Sequence, residues 1–357
     1  MAQIGEKEIL QALSQVMDPD LNRDIVSLGF VKNMKIEGDA VAFDVELTTP
    51  ACPVKDQLKQ ACIDVVHELG IQNVDVNMTA QVRSSAVQGR QQVPGIRNLI
   101  AIASGKGGVG KSTVCMNLAL ALAKTGARVG LMDCDLYGPS VPSMVGLHQR
   151  VGANEQQRLI PHEVDGLKVM SMGFMIDRTQ AVSWRGPMLH KMLLQFLFNV
   201  EWGELDYLLL DMPPGTGDVQ LSITQATPLA AAVLVTTPQN VALRDVEKGM
   251  EMFRAVKVPV LGIIENMSWF KCGKCDKKHF IFGQGGGNRM SERYKVPLLS
   301  QLPLDPSVPS DLGQGRPLIL REPDSDSARA FSQAAGRVVA ELSRQQWAKP
   351  SPGAMEV

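Results

Sequence analysis

Cysteine is scarce: six in 357 residues. That is too few to staple a chain of this length into a disulfide scaffold, and Cys115 and Cys134 sit inside apolar runs, so reduced thiols of a cytosol are expected. Neither sign of charge dominates. The 36 basic and 37 acidic side chains leave a formal net charge of −1, which gives no general attraction to nucleic acid or to an anionic membrane. No uninterrupted apolar run approaches the ~18–20 residues that span a bilayer. The opening MAQIGEKEIL lacks the basic-then-apolar layout of a secretory signal, and its acidic residues argue against a transit peptide. These absences predict a soluble cytoplasmic protein, with neither nucleic acid nor membrane among its partners. What is present, 45% hydrophobic and 20% charged residues, excludes a largely disordered chain. At ~150 residues per domain the length predicts two domains, or one large domain with an appendage.

Punctuation falls at residues 83–95, a polar stretch with Gly89, Pro94 and Gly95 and no hydrophobic period, which reads as a linker. Before it, residues 1–82 form a small α+β unit. Ile9, Leu10, Leu13 and Val16 recur at helical spacing, and Glu37-Gly38-Asp39 between two strand-like runs signals a hairpin. A helix over 54–69 closed by Gly70 and a strand over 74–78 complete it. After the linker, residues 96–345 change pattern. Apolar runs at 99–103, 128–132, 207–210, 231–235 and 258–264 are nearly continuous and are separated by helical segments. That combination predicts an α/β fold with a mostly parallel sheet covered by helices on both faces. A last helix is expected over 325–344, and 346–357 reads as a fraying tail.

Gly105-Lys106-Gly107-Gly108-Val109-Gly110-Lys111-Ser112 satisfies G-x-x-x-x-G-K-[ST] between an expected strand and an expected helix. The glycines let successive amides converge on phosphate oxygens, and the helix N-terminus adds partial positive charge. Lys111 would neutralise the β- and γ-phosphates, and the Ser112 hydroxyl would ligate Mg²⁺. Thr113 follows in the same turn and joins the nucleotide-binding set. Asp211 and the pair Asp133 and Asp135 end apolar runs, where carboxylates reach a ligand crevice. Lys106 is a second lysine in the loop. Its stem would let it reach a partner subunit's nucleotide as a charge-stabilising group.

The segment Lys106–Ser112 resembles the deviant Walker A motif of the SIMIBI-class ATPases, among them MinD, ParA and the nitrogenase iron protein. Asp133-Cys134-Asp135 and Asp211–Asp218 resemble their switch segments. The second of these, with Glu265-Asn266-Met267-Ser268, is similar to the Mrp/ApbC branch of iron–sulfur cluster carriers. The likeness spans about residues 96–345. It implies ATP as nucleotide, a homodimer in which Lys106 acts across the interface, Asp135 positioning water or Mg²⁺, and Asp211 on the metal. It also implies that Asn266 reads the adenine edge, with Pro303 and Asp305 nearby.

Cys272-Gly273-Lys274-Cys275 directs two sulfurs at one point, and flanking lysines are expected to favour thiolates. Spacing leaves three readings open: a redox disulfide, half a zinc site with His279 as third ligand, or half of a [4Fe–4S] site completed by a second chain. The resemblance implies the last, a transferable [4Fe–4S] cluster shared by two copies, with donor or scaffold proteins and recipient apoproteins as partners. The other functional classes are a MinD/ParA-like positioning ATPase and an ATPase with structural zinc. Asp18-Pro19-Asp20 and Thr48–Pro53 resemble a MIP18-type domain of iron–sulfur assembly. There Cys52 either opens a helix whose dipole lowers its pKa or is a buried small hydrophobe at a helix start.

Overall fold

The computed structural model describes residues 4–85, 90–135, 138–175, 186–215, 217–307 and 315–348. They divide into two compact units: one takes residues 4–83 and 339–348, the other the described residues between 84 and 338.

The smaller unit is built on a three-stranded sheet. The strands Val31–Glu37 and Ala40–Leu47 form the expected hairpin, with Gly38 at φ 62° in its turn. Glycine is needed there because other side chains clash with the backbone in that region. The strand Asn73–Ala80 then adds in parallel to Ala40–Leu47, a crossing made by the helix Lys55–His67. Ala40–Leu47 alternates buried and half-buried residues, the signature of a sheet with one face packed. Val41, Phe43, Val45 and Leu47 meet Leu58, Cys62 and Val66 of the helix in one core with Ile9 and Leu13 of the helix Glu6–Leu13. Val16, three residues past that helix, is buried as its periodicity required. Asp18 ends the segment by accepting hydrogen bonds from the amides of Asp20 and Leu21 at 2.9 and 2.8 Å.

In the larger unit a nine-stranded sheet is found among the described residues. Across it run Lys278–His279, Val260–Lys271, Leu229–Thr236, Leu99–Ala103, Tyr207–Asp211, Val129–Asp133, Leu167–Ser171 and His162–Val164, with Leu298–Pro303 also paired to Val260–Lys271. The central pairings are all parallel, and antiparallel pairing occurs at the two short outer strands. Every residue of Leu99–Ala103, Val129–Asp133 and Tyr207–Asp211 is buried. This is why these runs are continuous rather than alternating: both faces are covered, and no polar side is required.

Two segments differ from expectation. Val260–Lys271 extends seven residues beyond Ile264. It passes Met267 at φ 56° and reaches the cysteine pair, a continuation hidden by its polar residues. The stretch read as linker is docked from Arg90 onward. The Arg90 guanidinium donates to the carbonyls of Thr224 and Thr227 at 2.7 and 2.6 Å, satisfying the end of the helix Asp218–Ala226, while Val93 and Ile96 are buried.

The last helix runs Asp326–Ala348, beyond residue 344. Ala328, Phe331, Ala335 and Val338 are buried on its stripe. Near its end, Trp347 stacks edge-on against Phe30 at 5.7 Å and carries the Arg83 guanidinium over its ring at 3.4 Å. Its indole Nε1 is buried without a hydrogen-bond partner, so Trp347 stabilises through its ring area and not through its N–H. Trp347→Ala is expected to cost about 3 kcal/mol in urea unfolding followed by circular dichroism, whereas Trp347→Phe costs less than ~1 kcal/mol. Equal losses in the two variants would contradict this account.

Candidate nucleotide site and thiol hairpin

The phosphate loop joins the strand Leu99–Ala103 to the helix Lys111–Lys124. Its glycines have separate causes. Gly108 and Gly110 hold φ 80° and 78°, a region that favours glycine. At Gly105 a Cβ would lie 2.2 Å from the Asp245 carbonyl oxygen, so the loop threads against the backbone of the helix Asn240–Ala255. Gly107 and Gly108 are exposed and Lys106 is half-buried, whereas Val109 is buried beneath them. The Ser104 hydroxyl donates to the Lys106 carbonyl at 2.9 Å, and the Gly215 amide donates to the Ser104 carbonyl at 3.1 Å. The segment after Asp211 therefore touches the loop directly.

Lys111, Asp211 and Asp133 form the buried electrostatic centre. Parallel registry sets Asp211 beside Asp133 at the ends of adjacent strands. The Lys111 ammonium bonds Asp211 Oδ1 and lies 3.1 Å from Ser112 Oγ. Burial alone would strip the Lys111 proton, but the Asp211 carboxylate reverses that and holds its pKa above the usual value. Asp133 moves oppositely. Burial, then the negative charge of Asp211, pushes its carboxyl up to about 8, with partial relief from the Asp135 amide and the Ser171 hydroxyl. Asp133 is therefore held largely protonated near neutral pH, beside the Lys111–Asp211 ion pair.

Asp211 Oδ2 is buried and has no hydrogen-bond partner. This open carboxylate oxygen and the Ser112 hydroxyl, on two residues that both meet the Lys111 ammonium, are hard donors of the kind that fits Mg²⁺. Asp135 lies next along, and its carboxylate accepts from the Gly138 amide at 3.3 Å. Sequence spacing flagged Asp133 and Asp135 alike, and the resemblance gave the site role to Asp135. Only the strand register and the Ser171 contact distinguish the two.

The remaining expected nucleotide contacts divide. Asn266 reaches the loop, and its side-chain amide donates to the Val109 carbonyl at 2.9 Å. Thr113 lies in the first turn of the loop's helix, where its carbonyl accepts from Asn117 at 2.9 Å. Pro303 ends its strand opposite Trp269. Asp305 is committed elsewhere: Ser307 bonds its Oδ1 at 2.7 Å and Ser327 its Oδ2 at 2.6 Å. Burial would raise its pKa, but these serine bonds hold it below the usual value. Glu265, which spacing did not flag, is fully buried. It ties Ser268 and Gln301, both at 2.8 Å, and the Gly287 amide to the residue before Asn266.

Cys272 and Cys275 occupy the tip of a hairpin between Val260–Lys271 and Lys278–His279. The Cys272 amide donates to the Lys277 carbonyl at 3.0 Å, and the Asp276 amide to the Cys272 carbonyl at 2.9 Å. Cys272 is half-buried and Cys275 exposed. The Cys272 thiol is held below its usual pKa by the amides of Lys274 and Cys275. The expected cause, flanking ammonium groups, is replaced by backbone dipoles, because Lys271 is engaged by Asp276 at 3.2 Å and Asp326 at 3.1 Å. Among the described residues no three His, Cys, Asp or Glu side chains converge on a metal position, so His279 does not complete a site within the chain.

Cys52 follows the buried one of its two readings. The helix begins at Lys55. Burial, reinforced by Asp20 and Asp18, pushes the thiol up to about 11, and the Val54 amide only partly lowers it. Cys62, Cys115 and Cys134 are core residues.

Fold and loop together define a P-loop nucleotide-binding protein on a parallel sheet. A family model described as NUBPL iron-transfer P-loop NTPase matches residues 95–339, and one described as iron–sulfur cluster assembly protein matches residues 6–78. The iron–sulfur cluster carrier protein of Deinococcus radiodurans is 46% identical, over 94% of this chain and 95% of its own length. That of Escherichia coli is 40% identical, over 92% and 90%. The chain belongs to this iron–sulfur cluster carrier family of P-loop NTPases. Among solved structures, the nucleotide-binding protein of Archaeoglobus fulgidus in complex with ADP is 38% identical with a TM-score of 0.59, covering 67% of this chain and 93% of that one. The cell division ATPase MinD of Pyrococcus furiosus shares the fold at a TM-score of 0.51, with 24% identity over 68% of this chain and 98% of that one. No helix among the described residues is long and apolar enough to cross a membrane.

The Asp133 carboxyl has a testable signature. Its folded pKa, about 8, exceeds the unfolded value of about 4. Its contribution to stability is therefore full below pH ~4 and is lost as pH rises towards ~8. In nucleotide-free protein, Asp133→Asn is expected to flatten the decline of unfolding free energy between pH 5 and 8 by up to ~1 kcal/mol per pH unit. Parallel curves for the two proteins would refute this assignment.

Proposed function

We propose that this chain is an ATP-dependent carrier that binds a [4Fe–4S] cluster as cargo between two copies of itself and passes it to apoproteins, with slow ATP hydrolysis accompanying the exchange. One observation carries the reading. A single strand bears Asn266, bonded to the phosphate loop, and ends at Lys271, next to Cys272, the first sulfur of a two-thiol tip. Two thiolates are half of what a [4Fe–4S] cluster takes, and a second copy supplies the rest. Donor or scaffold proteins load the cluster and recipient apoproteins receive it, in the cytoplasm.

In hydrolysis, water attacks the γ-phosphorus and the bond to the ADP oxygen breaks. Gly105 to Gly110, with Val109 beneath, cradle the phosphates, and Ser112 and Thr113 close the helix end over them. Lys111 leaves Asp211 to neutralise the β- and γ-phosphate oxygens. Ser112 and Asp211 are the residues that would hold Mg²⁺, which supplies charge neutralisation on the phosphates when bound. Asp135 orients the water, Lys106 stabilises charge on the partner copy's nucleotide, and Asn266 turns from Val109 to the adenine edge beside Pro303. Asp305 supports that wall through its serine bonds.

Lys111→Ala is expected to lower ATP turnover at least about a hundredfold while cluster loading by iron and sulfide persists. Unchanged turnover would remove Lys111 from catalysis. Anaerobic reconstitution of the native chain should give about four iron atoms per two chains, and Cys272→Ala or Cys275→Ala should each abolish the cluster's visible absorbance with the fold intact. Zinc without iron in the native protein would overturn the carrier reading.

A further inference from the structure

The strand Val260–Lys271 is interrupted where it meets the phosphate loop. Glu265 pairs with Gln301 and Trp269 with Pro303, so Asn266, Met267 and Ser268 stand against the single residue Leu302. A bulge of this kind re-aims a side chain out of the ladder. Here it takes Met267 to φ 56°, a region that residues other than glycine avoid. The first two residues of the bulge press onto the loop. A Cβ on Gly110 would lie 2.4 Å from Asn266 Nδ2 and 3.6 Å from Met267 Cε.

A strained residue persists only where its surroundings hold it, and the holding group is the carboxylate of Glu265. It is fully buried, and its bonds fix both edges of the bulge. Oε1 accepts from the Ser268 hydroxyl and from the Gln301 side-chain amide, each at 2.8 Å. Oε2 accepts from the Gly287 amide at the start of the helix Gly286–Tyr294. The Ser268 hydroxyl also reaches the Glu265 carbonyl at 2.7 Å, closing the chain behind Met267. A Cβ on Gly287 would lie 3.1 Å from Oε2, so the carboxylate rests against bare helix backbone. These three donors are neutral. Burying a carboxylate is costly, and packing alone would be met by an apolar side chain. What the carboxylate adds is a joint between three segments, one residue before Asn266.

Adenine and guanine differ at one edge position, where adenine carries an amino donor and guanine a carbonyl acceptor. An asparagine amide discriminates between them when the backbone beneath it is fixed. Resting on the reading of Asn266 as the adenine contact, we propose that Glu265 is a positioning residue for nucleobase selection: it locks the bulge that presents Asn266 and so sets the preference for ATP over GTP.

The test uses the full-length, nucleotide-free chain and titration calorimetry with non-hydrolysable ATP and GTP analogues. Glu265→Gln keeps the shape of the side chain but sets an amino group against a donor. Ser268→Ala removes the bond across the bulge and leaves the carboxylate in place. In each variant the Kd for the ATP analogue should rise about tenfold, the equivalent of one lost hydrogen bond, while that for the GTP analogue changes less than about twofold. Asn266→Ala should show the same loss, and adding Glu265→Gln to it should produce no further rise. Losses that multiply in the double variant would overturn the proposal. So would an equal loss of affinity for both nucleotides, which marks a general brace of the loop, or an unchanged ATP affinity in the folded single variants. If circular dichroism shows that Glu265→Gln does not fold, Ser268→Ala and Ser268→Ala/Asn266→Ala make the same comparison. If Asn266→Ala itself leaves ATP affinity unchanged, the reading of Asn266 as the adenine contact fails first, and the positioning role with it.

Discussion

The larger unit is organised around one buried ion pair, that of Lys111 with Asp211. Its existence requires a strand ending in a carboxylate, a glycine loop that places the next helix's first lysine above it, and a sheet dry on both faces. A buried charge pair contributes little unless its remaining valences are satisfied. Here Ser112 touches the cation, Asp133 stands beside the anion as its protonated neighbour, and one oxygen of Asp211 is left open. The arrangement is balanced in charge yet incomplete in hydrogen bonding. That is the condition of a site prepared for a ligand rather than of a finished core.

The rest of the sheet arranges reach around that centre. The strand Val260–Lys271 lies two places from Leu99–Ala103, which feeds the phosphate loop, yet it returns to the loop through Asn266. Glu265 anchors it to the start of the helix Gly286–Tyr294 and to the strand Leu298–Pro303. Met267 then takes a left-handed turn of the backbone, and the strand runs on to the thiols. The residue bonded to the phosphate loop and the segment leading to the two thiols thus share one ribbon of backbone.

Much of this was legible in the sequence because it is local. The glycine loop, the hairpin at Gly38 and the continuous apolar runs follow from residue types at fixed spacing, and the structure reproduces each. What was not legible depends on residues distant in the chain. Asp133 and Asp135 look alike by spacing, and only the adjacency of Asp133 to Asp211 and Ser171 separates them. Cys52 fails as a low-pKa thiol because burial and two aspartates outweigh any helix effect. Asp305 is claimed by Ser327, 22 residues further on. The acidity of Cys272 comes from amides two and three residues away and not from the lysines that catch the eye.

The thiol hairpin is moored at its base by Lys271, which grips Asp276 on one side and Asp326 on the other, and all three side chains are largely in water. Exposed ion pairs of this kind contribute little and weaken as dissolved ions crowd in. The two sulfurs are consequently tethered by a clasp that thermal agitation can undo, while the sheet beneath stays rigid. The hairpin tip is thus the loosely fastened end of a strand whose middle is held by the buried Glu265.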